Sequence, residues 1–444
     1  MLLKLVPEGG RALHSRDIDA HAEALLASIS AARGEPRRVL IVPPDGTRAH
    51  SFAGPLTAAF ARLLGPRLAG ILPATGTHRP MDRAELKAMF GDLDPELFLE
   101  HDHRSGNQRL GEIPGSFVAS QSGGRLSFPF PCEVDARLVE GGWDLVISPG
   151  QVVPHEVVGL ANYTKNIIVG LGGAEAIARS HWLGAVAGLE TIMGKADTPV
   201  RRLLDESARR FLSKLPILYV LTVVARGEKG LELRGLYSGE GPGADWLEAA
   251  ALSGGSGWTE GNCFAEAAGL AASVNIETLD QGIDRCVVML DPSEFRSTWL
   301  GNKAVYRTRM ALADEAELFV LAPGVERFGE DPIIDKLIRR HGYRGTEAAL
   351  AAVKSDPELA ANLGAAAHLV HGSSEGRFRI TYCSDPRLLS REEVEGVGYS
   401  WMDLAEARRR FDPSTLSEGY NKREGKKLFY VSNPALGLWK RAET

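Results

Sequence analysis

The chain has 444 residues, 44% hydrophobic and 24% charged, so it can bury a large core and divide into more than one domain. Its formal net charge of -6, with charges of both signs scattered along the chain, offers no basic surface for a nucleic-acid backbone. Its first residues lack the sustained apolar stretch of a secretory signal, and no later apolar run is long enough to span a membrane, so we expect a cytoplasmic protein with neither nucleic-acid nor membrane partners.

Short β-branched runs alternate with Ala- and Leu-rich stretches of helical period, a pattern typical of mainly parallel sheets with crossover helices. In chain order, the sequence predicts a helix over 17–33, a strand over 38–42, a helix over 55–64, a strand over 68–72, a helix over 83–90, and strands over 144–148 and 217–224. A Gly- and Ser-rich stretch follows Leu252, and further strands are predicted at 286–290, 317–322, 377–383 and 427–432. We therefore predict an α/β fold of two domains, 1–275 and 276–444, with the boundary known to about ten residues.

The cysteines are widely spaced and form no Cys-x-x-Cys pair. They are Cys132, Cys263, Cys286 and Cys383. This spacing argues against a disulfide framework and against a thiolate zinc site. A metal in this protein would need nitrogen, oxygen or cofactor-borne ligands.

Polar loops follow the predicted strands, where ligand sites of α/β sheets gather. The first, PPDGTR, presents Asp45, Thr47 and Arg48 on a rigid turn, which indicates either a functional carboxylate and guanidinium or an ordinary surface ion pair. The second, ATGTHRPM, places His78 just after a Gly-Thr pair, so we expect its imidazole to project from a loop.

The segment EHDHRSG carries His101 and His103 on either side of Asp102. In an extended segment both imidazoles would lie on one side, which would suit a metal site. Equally, the segment could be a polar loop whose Asp102 bonds nearby amides or orients another histidine.

The most informative stretch is PHEVVGLANYTKNIIVGLGGAEAIARSHW, in which His155 precedes Lys165 and His181 follows it. A lone lysine is usually a solvated surface amine. Together with the Asp-x-Thr-Arg, Thr-Gly-x-His-Arg and His-Asp elements upstream, the order and spacing of this stretch resemble those of the nickel-dependent lactate racemase family. The resemblance extends over most of the chain, and several short motifs in one order are more specific than any single motif.

The resemblance implies a cofactor, the nickel-pincer nucleotide, a pyridinium mononucleotide whose sulfur-bearing arms and ring carbon grip nickel. Lys165 would tether it through a thioamide, and His181 would complete the nickel coordination, which suits a metal that accepts imidazole in a square-planar site. Thr47 and a glycine set would contact the nucleotide, although the glycines also suit an ordinary loop and helix entry. The glycines are Gly170, Gly172 and Gly173. Protein produced without the separate cofactor-building enzymes is expected to lack the cofactor.

The resemblance also implies that His78 and His155 are the catalytic pair, one on each face of the substrate carbon. One imidazole would accept the hydroxyl proton while hydride leaves C2, and return of hydride to the opposite face would invert the centre. Arg48 would bind the substrate carboxylate, Asp45 or Asp102 would orient a histidine, and Asp102 is also a candidate substrate contact. The site is expected in the cleft between the two domains.

The chain departs from the family where Asn162, Tyr163 and Thr164 replace the Gly-Gly-Arg that commonly precedes the lysine. We interpret Tyr163 as part of a bulkier, more polar substrate wall. Met310 stands where lactate racemases carry a lysine, so Lys303 or Arg307 could contact substrate instead. Both could equally belong to a solvated basic face, the interpretation that we favour for the neighbouring Arg309.

These departures favour a 2-hydroxy acid larger than lactate, such as a sugar acid or a hydroxy diacid, and make C2 epimerisation as plausible as racemisation. One alternative is a hydrolase or sugar-acid isomerase whose divalent metal is held by His101, His103 and His155. Another is a catalytically silent homologue that binds a nucleotide or a hydroxy acid.

Overall fold

The structure is a computed structural model, and it describes residues 2–227, 230–242, 262–423 and 425–442. Contacts divide the chain into unit 1, formed by Met1–Leu183 and Thr191–Asn275, and unit 2, formed by Gly184–Glu190 and Ile276–Thr444. The sequence did not predict that a short segment near residue 187 groups with unit 2. Nearly all of the Gly- and Ser-rich stretch after Leu252 lies outside the described residues.

Unit 1 is built around a six-stranded sheet with the order β1-β10-β9-β6-β2-β3, in which β9, β6, β2 and β3 are parallel. The strands of unit 1 are β1 (Leu2–Leu5), β2 (Val39–Ile41), β3 (Leu68–Ile71), β4 (Asn107–Ile113), β5 (Phe130–Asp135), β6 (Leu145–Gln151), β7 (Pro154–His155), β8 (Gly159–Leu160), β9 (Ile217–Gly227) and β10 (Gly230–Glu240). Strands β4 and β5 pair with each other, as do β7 and β8, in antiparallel hairpins outside the large sheet.

The helices that begin in unit 1 are α1 (Ser15–Arg33), α2 (Ala53–Leu64), α3 (Arg83–Phe90), α4 (Gly115–Gln121), α5 (Ala136–Glu140), α6 (Thr164–Ile168), α7 (Ala174–Ala187), α9 (Pro199–Phe211) and α10 (Cys263–Asn275), and α8 (Leu189–Ile192) spans the 190/191 division. Helix α1 starts with a capping box in which the Asp17 carboxylate accepts from the His14 backbone N–H. Its apolar face, with Ile18, Leu25 and Ile29, packs with α2 against the sheet.

The central parallel strands are buried on both faces, so their apolar residues are consecutive instead of alternating, at 39–41 in β2 and 145–147 in β6. Every residue of β2 and β6 is buried. Strands β6, β2 and β3 are adjacent and parallel, so the loops that follow them lie at one edge of the sheet. The loops after β2 and β3 are joined directly, because the Ala74 N–H donates to the Pro43 carbonyl at 2.7 Å.

Unit 2 is built around a second six-stranded sheet with the order β15-β14-β13-β12-β17-β16, parallel except for β16. Its strands are β11 (Glu277–Leu279), β12 (Ile283–Met289), β13 (Leu312–Ala322), β14 (Arg379–Ser384), β15 (Ser400–Asp403), β16 (Gly419–Arg423), β17 (Lys426–Val431) and β18 (Trp439–Arg441). Its helices are α11 (Thr298–Gly301), α12 (Lys303–Thr308), α13 (Pro332–His341), α14 (Thr346–Ser355), α15 (Pro357–Ala360), α16 (Leu363–His371), α17 (Arg391–Gly396) and α18 (Leu404–Arg410).

The predicted α/β class with mainly parallel sheets is confirmed, and so are the predicted strands and helices, with ends that move by a few residues. The largest difference is β13, which begins at Leu312, five residues before the predicted 317. Within the described ranges, no helix is both long enough and apolar enough to cross a membrane.

Candidate active site

The loop after β2 folds as a 3-10 turn, Gly46–Ser51, whose cap is Asp45. The Asp45 carboxylate accepts from the Thr47 N–H at 3.2 Å and from the Thr47 hydroxyl at 2.5 Å. The turn therefore fixes the carboxylate, whose side chain is only 7% exposed. Thr47 orients Asp45 here, and its predicted contact with a nucleotide stays a prediction.

His78, in the loop after β3, lies against the second oxygen of Asp45, with Nδ1 to Oδ2 at 2.6 Å. Burial opposes ionisation of Asp45, but hydrogen bonds from His78 and Thr47 outweigh it and hold the Asp45 pKa below its usual value. An ionised Asp45 accepts the Nδ1 proton of His78 and leaves the Nε2 lone pair of the imidazole available. Of the two carboxylates predicted to orient a histidine, Asp45 does so.

His155 ends β7 and is buried. Its Nδ1 accepts a hydrogen bond from the Val157 N–H at 3.1 Å, so the neutral ring carries its proton on Nε2. Burial is the main reason why the His155 pKa lies well below its usual value, and Lys165 and Arg48 lower it further. In their neutral forms, Nε2 of His78 is thus a hydrogen-bond acceptor, whereas Nε2 of His155 is a donor.

Lys165 lies in the first turn of α6 and is half-buried. Burial disfavours the ammonium form, Arg48 repels it, and the pKa of Lys165 falls to about 8. Near neutral pH a useful fraction of this amine is therefore uncharged and nucleophilic, unlike that of an ordinary surface lysine.

His181, in α7, uses its Nδ1 to bond the Ile177 carbonyl one turn earlier, at 2.7 Å. That bond assigns the proton of the neutral ring to Nδ1 and leaves the Nε2 lone pair free for a metal. Burial lowers the His181 pKa, and the charge of Lys165 lowers it further, so the ring favours the neutral form that coordinates metal. The residue present therefore fits the coordination predicted for it.

Charge effects on pKa values indicate that His155, Lys165 and His181 lie near one another in unit 1. Arg48 influences the pKa of both His155 and Lys165, and Lys165 influences that of both His155 and His181. Glu156 raises the pKa of all three groups and partly offsets the positive charge. Arg48 and Lys165 therefore lie near two carboxylates, Glu156 and Asp45.

Packing within the protein already accounts for the predicted glycine set, Gly170, Gly172 and Gly173. A Cβ at each position would collide with protein atoms, at 2.3 Å from the Asn166 carbonyl, 2.1 Å from the Ile168 carbonyl and 2.2 Å from a Glu133 carboxylate oxygen, respectively. Gly170 also accepts a hydrogen bond from the Gly76 N–H, which ties it to the loop of His78. Contact between these glycines and a nucleotide stays a prediction.

The His101–His103 segment behaves as a polar loop. Asp102 accepts from the Arg104 N–H and the Ser105 hydroxyl, which lower its pKa, while His101 is buried against Asp135. Among the residues that the structure describes, no group of three or more His, Cys, Asp or Glu side chains could hold a metal ion. The arrangement does not support a substrate contact for Asp102.

Tyr163 is fully buried, and its ring stacks on Phe264 with centroids 5.1 Å apart. Its hydroxyl donates to the Glu240 carbonyl at 3.3 Å and accepts from Asn262. The structure gives this side chain a place in the core, and nothing in its contacts supports the predicted substrate wall.

In unit 2, Lys303 lies 4.0 Å from Glu294 and over the ring of Phe295, while Arg307 is partly buried on the same helix. Their predicted contact with substrate stays a prediction. The solvated face that we favoured for Arg309 is wrong, because its side chain is buried. Its guanidinium donates to Glu190 at 2.8 Å, and this ion pair compensates the buried charge.

Sequence reasoning missed Glu156 and Arg201. Glu156 follows His155 directly, and that adjacency was a usable signal. Arg201 and Asp205 have the spacing of an ordinary surface pair on a helix, yet both are fully buried. Nothing in the sequence distinguishes them from exposed pairs.

Fold and site together define a two-unit α/β protein in which histidines and a lysine gather beyond the ends of parallel strands in unit 1. A family model, the lactate racemase N-terminal domain, matches residues 21–192, the range that contains every residue of this cluster. This range is less than half of the chain, and over it the chain is similar to that domain.

Comparison with individual proteins gives further similarities. The chain is 32% identical over 115 residues to a lactate racemase of Thermoanaerobacterium thermosaccharolyticum, an alignment that spans about a quarter of that relative's length (24%). A Thermotoga maritima crystal structure matches with a TM-score of 0.76 at 21% identity, covering 99% of this chain and 100% of that one. The apoprotein of the Thermoanaerobacterium lactate racemase matches with a TM-score of 0.67 at 15% identity, covering 95% and 93%. At these identities the structural matches support the fold.

Proposed function

We propose that this protein inverts C2 of a 2-hydroxy acid by hydride transfer, using a nickel-pincer nucleotide tethered to Lys165. The observation that carries the proposal is the cluster of Asp45, His78, His155, Lys165 and His181, whose hydrogen bonds and charges fit those roles. When bound, such a nucleotide supplies a reversible hydride acceptor for C2.

His78 is the proton acceptor that this arrangement prepares. The Asp45 carboxylate accepts a hydrogen bond from the Nδ1–H of His78, so Nε2 of His78 can take the proton of a substrate hydroxyl. The carboxylate then stabilises the imidazolium that forms. Loss of hydride from C2 then leaves a planar 2-keto acid, and return of hydride to its other face inverts the centre.

His155 is the partner on the other face. In the unliganded protein it offers Nε2–H as a hydrogen-bond donor, and a second proton on Nδ1 would have to displace the hydrogen bond from Val157. An anionic ligand beside it would raise its pKa and favour that second proton. We therefore propose that His155 acquires its acid role on ligand binding.

Lys165 and His181 would hold the cofactor. The lowered pKa of Lys165 supplies a free amine for the thioamide tether, and the Ile177 carbonyl aims the lone pair of His181 at the metal. Arg48 is the candidate for binding the substrate carboxylate, and its effect on the pKa of His155 and Lys165 supports its nearness to both.

The substrate is proposed to be larger than lactate, a sugar acid or a hydroxy diacid, because the chain lacks the lysine usual at position 310. An epimerase acting on C2 of an aldonate or uronate fits this description as well as a racemase. Lys303 and Arg307 are the candidates for the additional contacts.

Two other functions remain as alternatives. A conventional divalent metal held by His101, His103 and His155 has little support, since His101 is committed to Asp135. A silent ligand-binding homologue is disfavoured by the Asp45–His78 pair, because simple binding does not require an oriented base.

The deciding experiment produces the protein together with cofactor-building enzymes and measures metal content and the mass of the peptide that contains Lys165. We expect nickel and a covalent adduct on Lys165, both absent from Lys165→Ala. An unmodified Lys165 in a preparation shown to invert a 2-hydroxy acid would exclude the tether.

A further inference from the structure

The chain between His155 and Lys165 is held by the first turn of α9. The Thr198 hydroxyl donates to the Val158 carbonyl at 3.1 Å, and the Arg201 guanidinium donates to the Leu160 carbonyl at 2.7 Å and to the Asn162 carbonyl at 3.1 Å. Carbonyls at alternate residues are thus bound in sequence by one helix end. This contact fixes the path of the connector between the proposed acid–base residue and the proposed tether.

The connector ends in an unfavourable backbone conformation. Asn162 has φ 67°, and Tyr163 has φ 60° with ψ -135°, a combination that essentially only glycine adopts without strain. The next residue begins α6, so this strained bend determines where Lys165 enters the helix. Strain of this kind persists only where surrounding contacts hold it.

Arg201 supplies such contacts from a fully buried position. Beyond the carbonyls of the connector, it donates to the Thr164 hydroxyl at 2.8 Å, and Thr164 in turn donates to Asp205. Its guanidinium also lies 4.2 Å from the ring centroid of Phe264. The planar fork therefore bonds both sides of the strained bend at once, which a lysine ammonium could not reproduce.

We propose that Arg201 is a positioning residue that holds the strained 162–164 bend and thereby keeps Lys165 in its half-buried place within the site. This inference rests on the proposed function only for the role of Lys165. Without the fork, the bend relaxes toward ordinary backbone conformations, and the amine moves toward solvent.

The pKa of Lys165 reports this position, since burial is the largest cause of its decrease. The charged and titratable groups coupled to it are Arg48, Glu156, Arg201, Asp45, His155 and His181. The charge of Arg201 itself lowers the Lys165 pKa, and a buried lysine at position 201 would lose its charge more readily than arginine. Thr164→Val removes no charge and is therefore measured beside Arg201→Lys, and a rise in both variants reflects the position of Lys165.

The test measures, on the full chain made without cofactor, the pH dependence of acylation of Lys165 by peptide mass spectrometry. The wild-type midpoint is expected near pH 8. In Arg201→Lys it should rise by about one unit or more toward the ordinary lysine value. The matched control is Arg202→Lys, since Arg202 is the next residue of α9 but binds Asp197, and its midpoint should stay at the wild-type value.

An unchanged midpoint in folded Arg201→Lys would overturn the proposal. Whether or not that variant folds, Thr164→Val removes the hydroxyl between Arg201 and Asp205 without removing a charge, and should raise the midpoint less but in the same direction. An unchanged midpoint there would overturn the proposal too. Because no cofactor or substrate is used, this result is independent of whether Lys165 becomes an adduct.

Discussion

The hydrogen bond between Asp45 and His78 gives the most direct prediction for a single residue. Asp45 has a lowered pKa in the folded protein, so it contributes stability above its unfolded pKa and loses that contribution as pH falls through the lower folded value. We expect Asp45→Asn to lower the free energy of unfolding at pH 7 by about 1–3 kcal/mol.

The difference between Asp45→Asn and wild type should begin to shrink below about pH 4, where the carboxylate of the unfolded wild type protonates, and should vanish only below the lower pKa of the folded protein. Urea unfolding at both pH values measures it. Asp19→Asn is the matched control, because Asp19 pairs with Arg62 on the surface and should contribute little at either pH. An equal loss at both pH values would contradict ionisation of Asp45 as the source.

His181 gives a second prediction for a single residue. In protein made with the cofactor-building enzymes, His181→Ala should retain the adduct on Lys165 but lose nickel by about tenfold or more, since the only protein ligand proposed for the metal is gone. Metal analysis and intact mass of the same sample measure both. His103→Ala should keep its nickel, and loss of metal from that variant would favour the conventional metal site.

Residue types and their order in the sequence predicted which residues belong to the candidate site better than they predicted the hydrogen-bond partners of those residues. His78 and Asp45 are separated by 33 residues, and only the adjacency of β2 and β3 brings them together. The sequence left open which carboxylate orients a histidine, because an Asp at a loop is compatible with either a cap or an orienting role. Asp102 caps a turn, whereas Asp45 both caps a turn and binds His78.

At the scale of elements, the start of α9 is expected to stabilise unit 1 beyond its own helix. Thr198 accepts from the Arg201 N–H as the helix cap and donates to Val158, and it is fully buried. Thr198→Ala should therefore lower the free energy of unfolding by about 1–2 kcal/mol. Urea unfolding measures this, with the exposed Thr191→Ala as control, and equal stability of the two variants would contradict the account.

The elements near the tether were also the hardest to predict. Helix α6 and the β7–β8 hairpin are too short for a periodic signal, and Asn162 and Tyr163 adopt glycine-like backbone conformations despite their side chains. The replacement of Gly-Gly by these residues was interpreted as a change of substrate wall. In the structure the backbone retains the conformation that glycines would allow, and Arg201 and the core around Tyr163 support it.

At the scale of the whole molecule, the sequence predicted the α/β class and the principal strands because buried parallel strands are continuously apolar. Strand β2 and residues 286–289 of β12 are examples. It could not predict that Gly184–Glu190 groups with unit 2, since that grouping depends on contacts such as Glu190 with Arg309, distant in sequence. The similarity to the lactate racemase N-terminal domain likewise lies within residues 21–192, where the motifs of unit 1 are found.

The proposed inversion of C2, with the hydrogen carried by the bound cofactor, can be followed by isotopic labelling at C2. Nickel-loaded protein would be given a panel of C2-deuterated 2-hydroxy acids, including C4 diacids and C5–C6 aldonates and uronates, without added nicotinamide cofactor, and products would be resolved by chiral chromatography and mass spectrometry. If hydride moves to and from the bound cofactor, we expect at least one acid to be inverted with most of its deuterium retained and at a reduced rate. Exchange of the deuterium with solvent during inversion, or no inversion of any acid by nickel-loaded protein, would contradict it.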